Sequence, residues 1–145
     1  MSDKLQKFKS GASALTLAKD AQKLLLHNDK TIKYGLTLTK EQAIELLDTQ
    51  AYEQRYSGRL EFGEGPVGKL IDAFADSPYI TRGNYAPTLH ALIETFYYYK
   101  NETDDKLTDD ELIDYMRKFF NGSCEGSIEL LNSRELDILA RSLRY

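Results

Sequence analysis

The sequence has little of what small proteins use as staples or reactive groups. It contains one cysteine, Cys124, so an intrachain disulfide is excluded and a reducing compartment is expected. Tryptophan is absent and histidine occurs twice, as His27 and His90, which is too few imidazole and thiol groups for the usual metal-ligand spacings. Prolines number three, so only the chain ends offer a linker. No apolar run approaches the roughly 20 residues that span a bilayer, and the opening Met1-Ser2-Asp3-Lys4-Leu5 lacks the apolar stretch of a secretory signal. The expectation is a cytoplasmic protein with no membrane segment. Basic charge is also in deficit, at a formal net of −4. Duplex binding draws most of its affinity from phosphate contacts, so this balance counts against nucleic acid.

What is present is ordinary globular material. The chain has 145 residues, 41% hydrophobic and 29% charged, which suits one domain with its own core. Residues 1–11 are polar and Lys-rich and read as a loose lead-in, with 12–145 as a single helical domain. Ala14, Leu17, Ala18, Ala21, Leu24 and Leu25 recur at helical spacing, predicting a first helix to about His27, closed by Asn28-Asp29-Lys30. Thr39-Lys40-Glu41-Gln42 and Thr108-Asp109-Asp110-Glu111 are capping boxes, each opening a helix with a one-sided apolar face. Pro66 suits the first turn of another helix, carrying Val67, Leu70, Ile71, Phe74 and Ala75.

Asn84 is the natural N-cap of the longest helix, about 85–101, with Tyr85, Leu89, Leu92, Ile93, Phe96 and Tyr99 facing inward. Asn132 is expected to cap a final helix with Leu136, Leu139, Ala140 and Leu143. The fold class is therefore all-α or α-dominant, a compact bundle of about six helical segments. Residues 34–38 and 59–62 alternate like strands and leave open a minor two-stranded element.

Few patterns point to chemistry. Gly63-Glu64-Gly65-Pro66-Val67-Gly68 spells a dinucleotide-binding glycine motif. However, Glu64 puts negative charge where phosphate would sit, Pro66 removes an N–H donor and no βαβ unit follows. The acidic run from Asn101 fails the calcium-loop register, with Lys106 at its sixth position and Leu112 at its twelfth. His90, Glu94 and Tyr98 form one row on the longest helix; covered by another element, such a row suits metal or acid–base chemistry, and uncovered it is a surface. Cys124 has no basic neighbour to activate it. No metal and no cofactor is expected.

Tyrosine is the unusual component, with ten copies. Phe96-Tyr97-Tyr98-Tyr99 on a helix must leave at least one ring at a surface or contact. Charge is uneven too. Before residue 34, Lys4, Lys7, Lys9, Lys19, Lys23, Lys30 and Lys33 outnumber Asp3, Asp20 and Asp29, and between 101 and 114 acids oppose Lys106 alone. Such asymmetry steers partners or supports head-to-tail self-association.

Tyr34-Gly35-Leu36-Thr37-Leu38-Thr39, Gly58-Arg59-Leu60-Glu61-Phe62-Gly63 and Ser77-Pro78-Tyr79-Ile80 resemble segments of an uncharacterised family of small acidic helical bacterial proteins. Phe96-Tyr97-Tyr98-Tyr99-Lys100-Asn101-Glu102, Asp109-Asp110-Glu111-Leu112-Ile113 and Gly126-Ser127-Ile128-Glu129-Leu130-Leu131 extend the resemblance over most of the chain beyond residue 30. It implies a bacterial source and a unit that stands alone at this length, and carries over no activity, ligand or catalytic residue.

Three readings follow, in order. The first is a non-enzymatic protein-interaction or regulatory module, with a protein partner or self-association. The second is a small-ligand-binding protein or enzyme with a site built from the Gly-rich turn near 58–68 and the segment 77–85. Its candidate binding residues are Arg59, Glu61, Ser77 and Tyr79, and Tyr98 is a further candidate contact. The third is nucleic-acid binding through Arg134, Arg141 and Arg144, which Glu129, Glu135 and Asp137 cancel.

Overall fold

The computed structural model describes residues 14–59 and 65–144; the lead-in expected at 1–11 and the candidate Glu61 lie outside them. The described residues form helices α1 (Ala14–Leu25), α2 (Asn28–Thr31), α3 (Lys40–Tyr56), α4 (Pro66–Phe74), α5 (Tyr85–Glu102), α6 (Asp109–Asn121), α7 (Ile128–Leu130) and α8 (Leu136–Ser142). A 3₁₀ turn, Ile32–Tyr34, follows α2, and one π-helical turn, Leu131–Glu135, joins α7 to α8. There is no strand among the described residues.

The expected strand at 34–38 is replaced by something more local. Gly35, at φ 76, ends the 3₁₀ turn, and the chain then runs extended with Leu36 and Leu38 buried and Thr37 exposed. That alternation is the pattern a strand would show. Its hydrogen bonds, however, come from side chains. Asn28 donates Nδ2–H to Leu38 O at 3.0 Å and accepts from Leu38 N at 2.9 Å, while the Thr31 hydroxyl donates to Leu36 O at 2.6 Å. One asparagine supplies both bonds of a missing neighbour, so no second strand is needed. Asn28 accordingly opens a short helix instead of only closing the first, which stops at Leu25. Residues 60–62 of the other expected strand lie outside the described residues.

Both capping boxes form. Gln42 N donates to Thr39 Oγ1 at 3.1 Å and Thr39 N to Gln42 Oε1 at 2.9 Å; Thr108 and Glu111 repeat this at 3.1 and 2.9 Å. Hydrogen bonding to Thr108 holds the Glu111 carboxyl below its ordinary pKa. Two expected caps differ. Asn84 turns back, accepting from Thr81 N at 2.8 Å and donating to Tyr79 O at 3.1 Å, so it braces the preceding turn and leaves α5 without a side-chain cap. The last helical stretch begins earlier than Asn132, where Ser127 accepts from Leu130 N at 3.1 Å, and Asn132 sits inside the π turn.

Helix α5 lies at the centre. Helices α3, α4, α6 and α8 all pack on it, and α3 also packs on α1. Leu17, Ala21 and Leu24 from α1, Val67, Leu70, Ile71 and Phe74 from α4, and Leu112, Met116 and Phe120 from α6 join the α5 residues in one apolar core. Phe74 meets Phe120 edge to face at 5.3 Å between centroids.

The α5–α6 connection is organised by a cation of the chain itself. Lys100 is buried, and its ammonium donates to Leu107 O at 2.6 Å and pairs with Asp109 Oδ1 at 2.9 Å. The loop closes around it through Asp104 and Asp105, at φ 51 and 58. Removing the ammonium leaves the Leu107 carbonyl without its donor, while Asp109, 33% exposed, turns to water, at a cost of about 1–2 kcal/mol. Lys100→Met, which keeps the aliphatic stem, is therefore expected to lower the melting temperature by roughly 5 °C, measured by circular dichroism. An unchanged transition would show that the ammonium does not organise this loop.

Candidate functional site

Along α5, Tyr85, Leu89, Leu92, Ile93, Thr95, Phe96, Tyr97, Tyr99 and Lys100 are buried. The exposed positions are Pro87, His90, Glu94, Tyr98 and Asn101, spaced three or four apart and so forming one stripe about 20 Å long. Helix α3 rises on one flank of this stripe: Thr49 meets His90, and Gln54 Nε2 donates to Tyr97 OH at 3.1 Å. On the other flank stand the π turn and α8, where the Tyr99 hydroxyl donates to Asn132 O and Arg144 pairs with Glu102 at 2.9 Å. The stripe is thus the floor of a trough.

On the α3 side the trough deepens into a cleft of about 250 Å³ lined by Asp48, Thr49, Tyr52, Glu53, Arg55, His90 and Glu94. Three carboxylates there face one guanidinium and one imidazole. The Thr49 hydroxyl donates its only proton to Glu45 O at 3.0 Å. Its 3.0 Å contact with His90 Nδ1 must therefore be one in which the ring donates. That orientation turns His90 Nε2 toward Glu94 Oε1, 3.4 Å away. Burial, and then the neighbouring Glu94 charge, push the Glu53 carboxyl above its ordinary pKa, partly offset by His90. Tyr52 and Tyr56 stack at 6.3 Å on the rim, 57% and 81% exposed.

Toward the other end, Tyr98, Tyr99, Glu129, Asn132, Ser133 and Asp137 line a shallower depression. Tyr98 lies edge to face on Tyr99 at 4.9 Å. Burial, with Asp137 second, pushes the Tyr99 phenol up to about 12, so its hydroxyl stays a neutral donor. Asp137 pairs with Arg141. The π turn displaces Asn132 and Ser133 relative to a regular helix; such turns recur at functional positions.

The other candidates from the sequence are placed elsewhere. Arg59 closes the end of the trough by donating Nη2–H to Asn101 Oδ1 at 2.7 Å and to Asp105 Oδ1 at 2.6 Å. Ser77 donates to Asn121 Oδ1 at 2.5 Å. Tyr79 packs edge to face on Phe120 and over Gly126, where an added Cβ would come within 2.5 Å of Tyr79 Cβ. Arg59 is thus not brought to Ser77 and Tyr79, and all three tie loops to helices; of the four described candidates, Tyr98 alone lies on the trough floor. The described part of the glycine motif is occupied by Gln50, whose Oε1 accepts from Val67 N at 3.2 Å. Cys124 is buried, and burial and Glu135 push its thiol up. Among the described residues no group of three or more His, Cys, Asp or Glu is placed to hold a metal ion, and no helix is long and apolar enough to cross a membrane.

Sequence reasoning found the His90–Glu94–Tyr98 row but missed Thr49, Tyr52 and Glu53, which meet it from 37 or more positions away. The only local signal was the polarity of that helix face. The chain belongs to DUF6323, a family of unknown function. The family model matches residues 23–145, which include every lining residue named for the trough. No curated protein and no solved structure matches the chain.

The raised Glu53 pKa makes a signed prediction for this DUF6323 member. With its folded pKa above the unfolded one, the native state binds the extra proton, and stability falls as pH rises through the interval starting near the ordinary glutamate value. Glu53→Gln is expected to raise the melting temperature at neutral pH, with the gain vanishing below that interval. Melting curves across pH test this; a gain that persists in acid would assign it to another cause.

Proposed function

We propose that this protein is a non-enzymatic interaction module and that the trough over α5 is its docking surface, taking a Lys/Arg-bearing segment of a partner protein. The observation that carries the reading is the single open stripe of an otherwise buried helix. It is bordered by exposed tyrosines and by the carboxylates of Glu53, Glu94 and Glu129. Tyrosine supplies large contact area with few rotatable bonds, and carboxylates beside aromatic faces suit ammonium and guanidinium groups.

A fluorescent peptide alternating lysine and leucine, titrated by anisotropy, is the test. Binding is expected to weaken about tenfold, roughly 1.4 kcal/mol, in the double variant Glu53→Gln/Glu94→Gln, and to weaken also in Tyr52→Ala/Tyr98→Ala. Equal affinity for the double variant, or equal binding of an acidic peptide, would refute the reading.

A further inference from the structure

The trough is one of two surfaces that complement each other. The second is the corner formed by the end of α1, α2 and the 3₁₀ turn. Within nine residues it exposes Leu26, Ile32 and Tyr34, at 66%, 58% and 48%. Lys23 and Lys30 flank Leu26 around an open depression with His27. Lys33 lies 5.2 Å from the Tyr34 ring centroid, and Lys19 extends the face along α1 beside Leu26.

The acids in this stretch are Asp20 and Asp29, and Asp72 of α4 joins them, so four lysines face three carboxylates. His27 is held by Asp72 at 2.8 Å, while Lys30 approaches the same carboxylate only to 3.8 Å and is 70% exposed. Three large apolar side chains exposed within one short segment, with lysines beside Leu26 and Tyr34, suit a contact with a partner.

We infer that the basic segment seated in the trough is this corner of a second copy of the chain, so that copies join head to tail; this rests on the reading of the trough given above. Each side supplies what the other lacks. The corner brings ammonium groups and aliphatic side chains; the trough brings carboxylates and tyrosine rings. Charge complementarity of this kind fixes register and rejects the opposite pairings, since corner on corner sets lysine against lysine and trough on trough sets Glu53 and Glu94 against themselves.

A copy does not satisfy its own trough. Helix α3 packs on both α1 and α5, and no residue of the corner is among those lining the trough. The contact is between copies and joins unlike surfaces, which closes into a ring or continues as a chain of copies.

Sedimentation velocity over a concentration series up to hundreds of micromolar tests the inference. In about 50 mM salt the wild-type mass is expected to rise with concentration, and in about 500 mM salt to fall to the monomer. Two double charge reversals, Glu53→Lys/Glu94→Lys in the trough and Lys23→Glu/Lys30→Glu in the corner, are each expected to remain monomeric with an unchanged helical spectrum. Mixed together they are expected to regain concentration-dependent association, because the intact corner of one meets the intact trough of the other and the two reversed surfaces again carry opposite charges.

A wild type that stays monomeric at low salt, association that survives either double reversal, or a mixture that stays monomeric would overturn the inference. A monomeric wild type that still binds the lysine–leucine peptide would overturn self-association while leaving the trough reading intact. Failure to bind that peptide, with assembly blocked only by the corner reversals, would overturn both the trough reading and this pairing.

Discussion

A helix apolar on every side belongs inside a protein, and α5 comes within one stripe of that condition. Burying Phe96, Tyr97 and Tyr99 together with Leu89, Leu92 and Ile93 requires neighbours on several sides, and α3, α4, α6 and α8 supply them. Each buried aliphatic or aromatic side chain is worth about 1.5–3 kcal/mol of transfer free energy, which is why the other helices are held at fixed positions around it. The stripe from Pro87 to Asn101 is what this arrangement leaves open. The trough is therefore a consequence of the core, with walls as rigid as the packing behind them.

The buried polar groups act at the joints between helices. Thr31 fixes Leu36, Gln50 holds the start of α4, Lys100 gathers the α5–α6 loop and Ser77 ties the end of α4 to Asn121. A hydrogen bond of this kind adds about 1 kcal/mol net, but leaving a buried partner unmatched costs more. Such groups select one arrangement of the connections more than they deepen the well. Arg59 belongs to the same set: by gripping Asn101 and Asp105 it joins the end of α3 to the end of α5, which keeps the wall of the trough parallel to its floor.

Much of the helix content was readable because it is written in short range. The two capping boxes, Pro66 at the start of α4 and the inward face of α5 depend on residues three or four apart, and all stand as their spacing implies. The failures share a different character. Residues 34–38 have strand alternation because Leu36 and Leu38 are both buried, but period two reports burial and not the source of the hydrogen bonds, and Asn28 supplies those. Asn132 has the composition of a cap, yet the helix starts at Ser127 and passes through it with a π turn. Lys100 read as one polar residue near a helix end; nothing nearby in sequence says that Leu107 O and Asp109 will enclose its ammonium. The site shows the same division. His90, Glu94 and Tyr98 share a row by local geometry alone, whereas their meeting with Thr49 and Glu53 is decided by which helix lies against which.

That meeting also places Glu53 where its charge is costly. A half-buried carboxylate beside Glu94 is disfavoured by desolvation and by like charge. An ammonium seated there would add a desolvation cost of its own, and would set against it the attraction of two carboxylates for one shared cation. On the proposed reading, the like-charge repulsion between Glu53 and Glu94 in the isolated chain would be relieved by such a group. A neutral ligand would leave that repulsion in place, which is why the proposed partner is cationic.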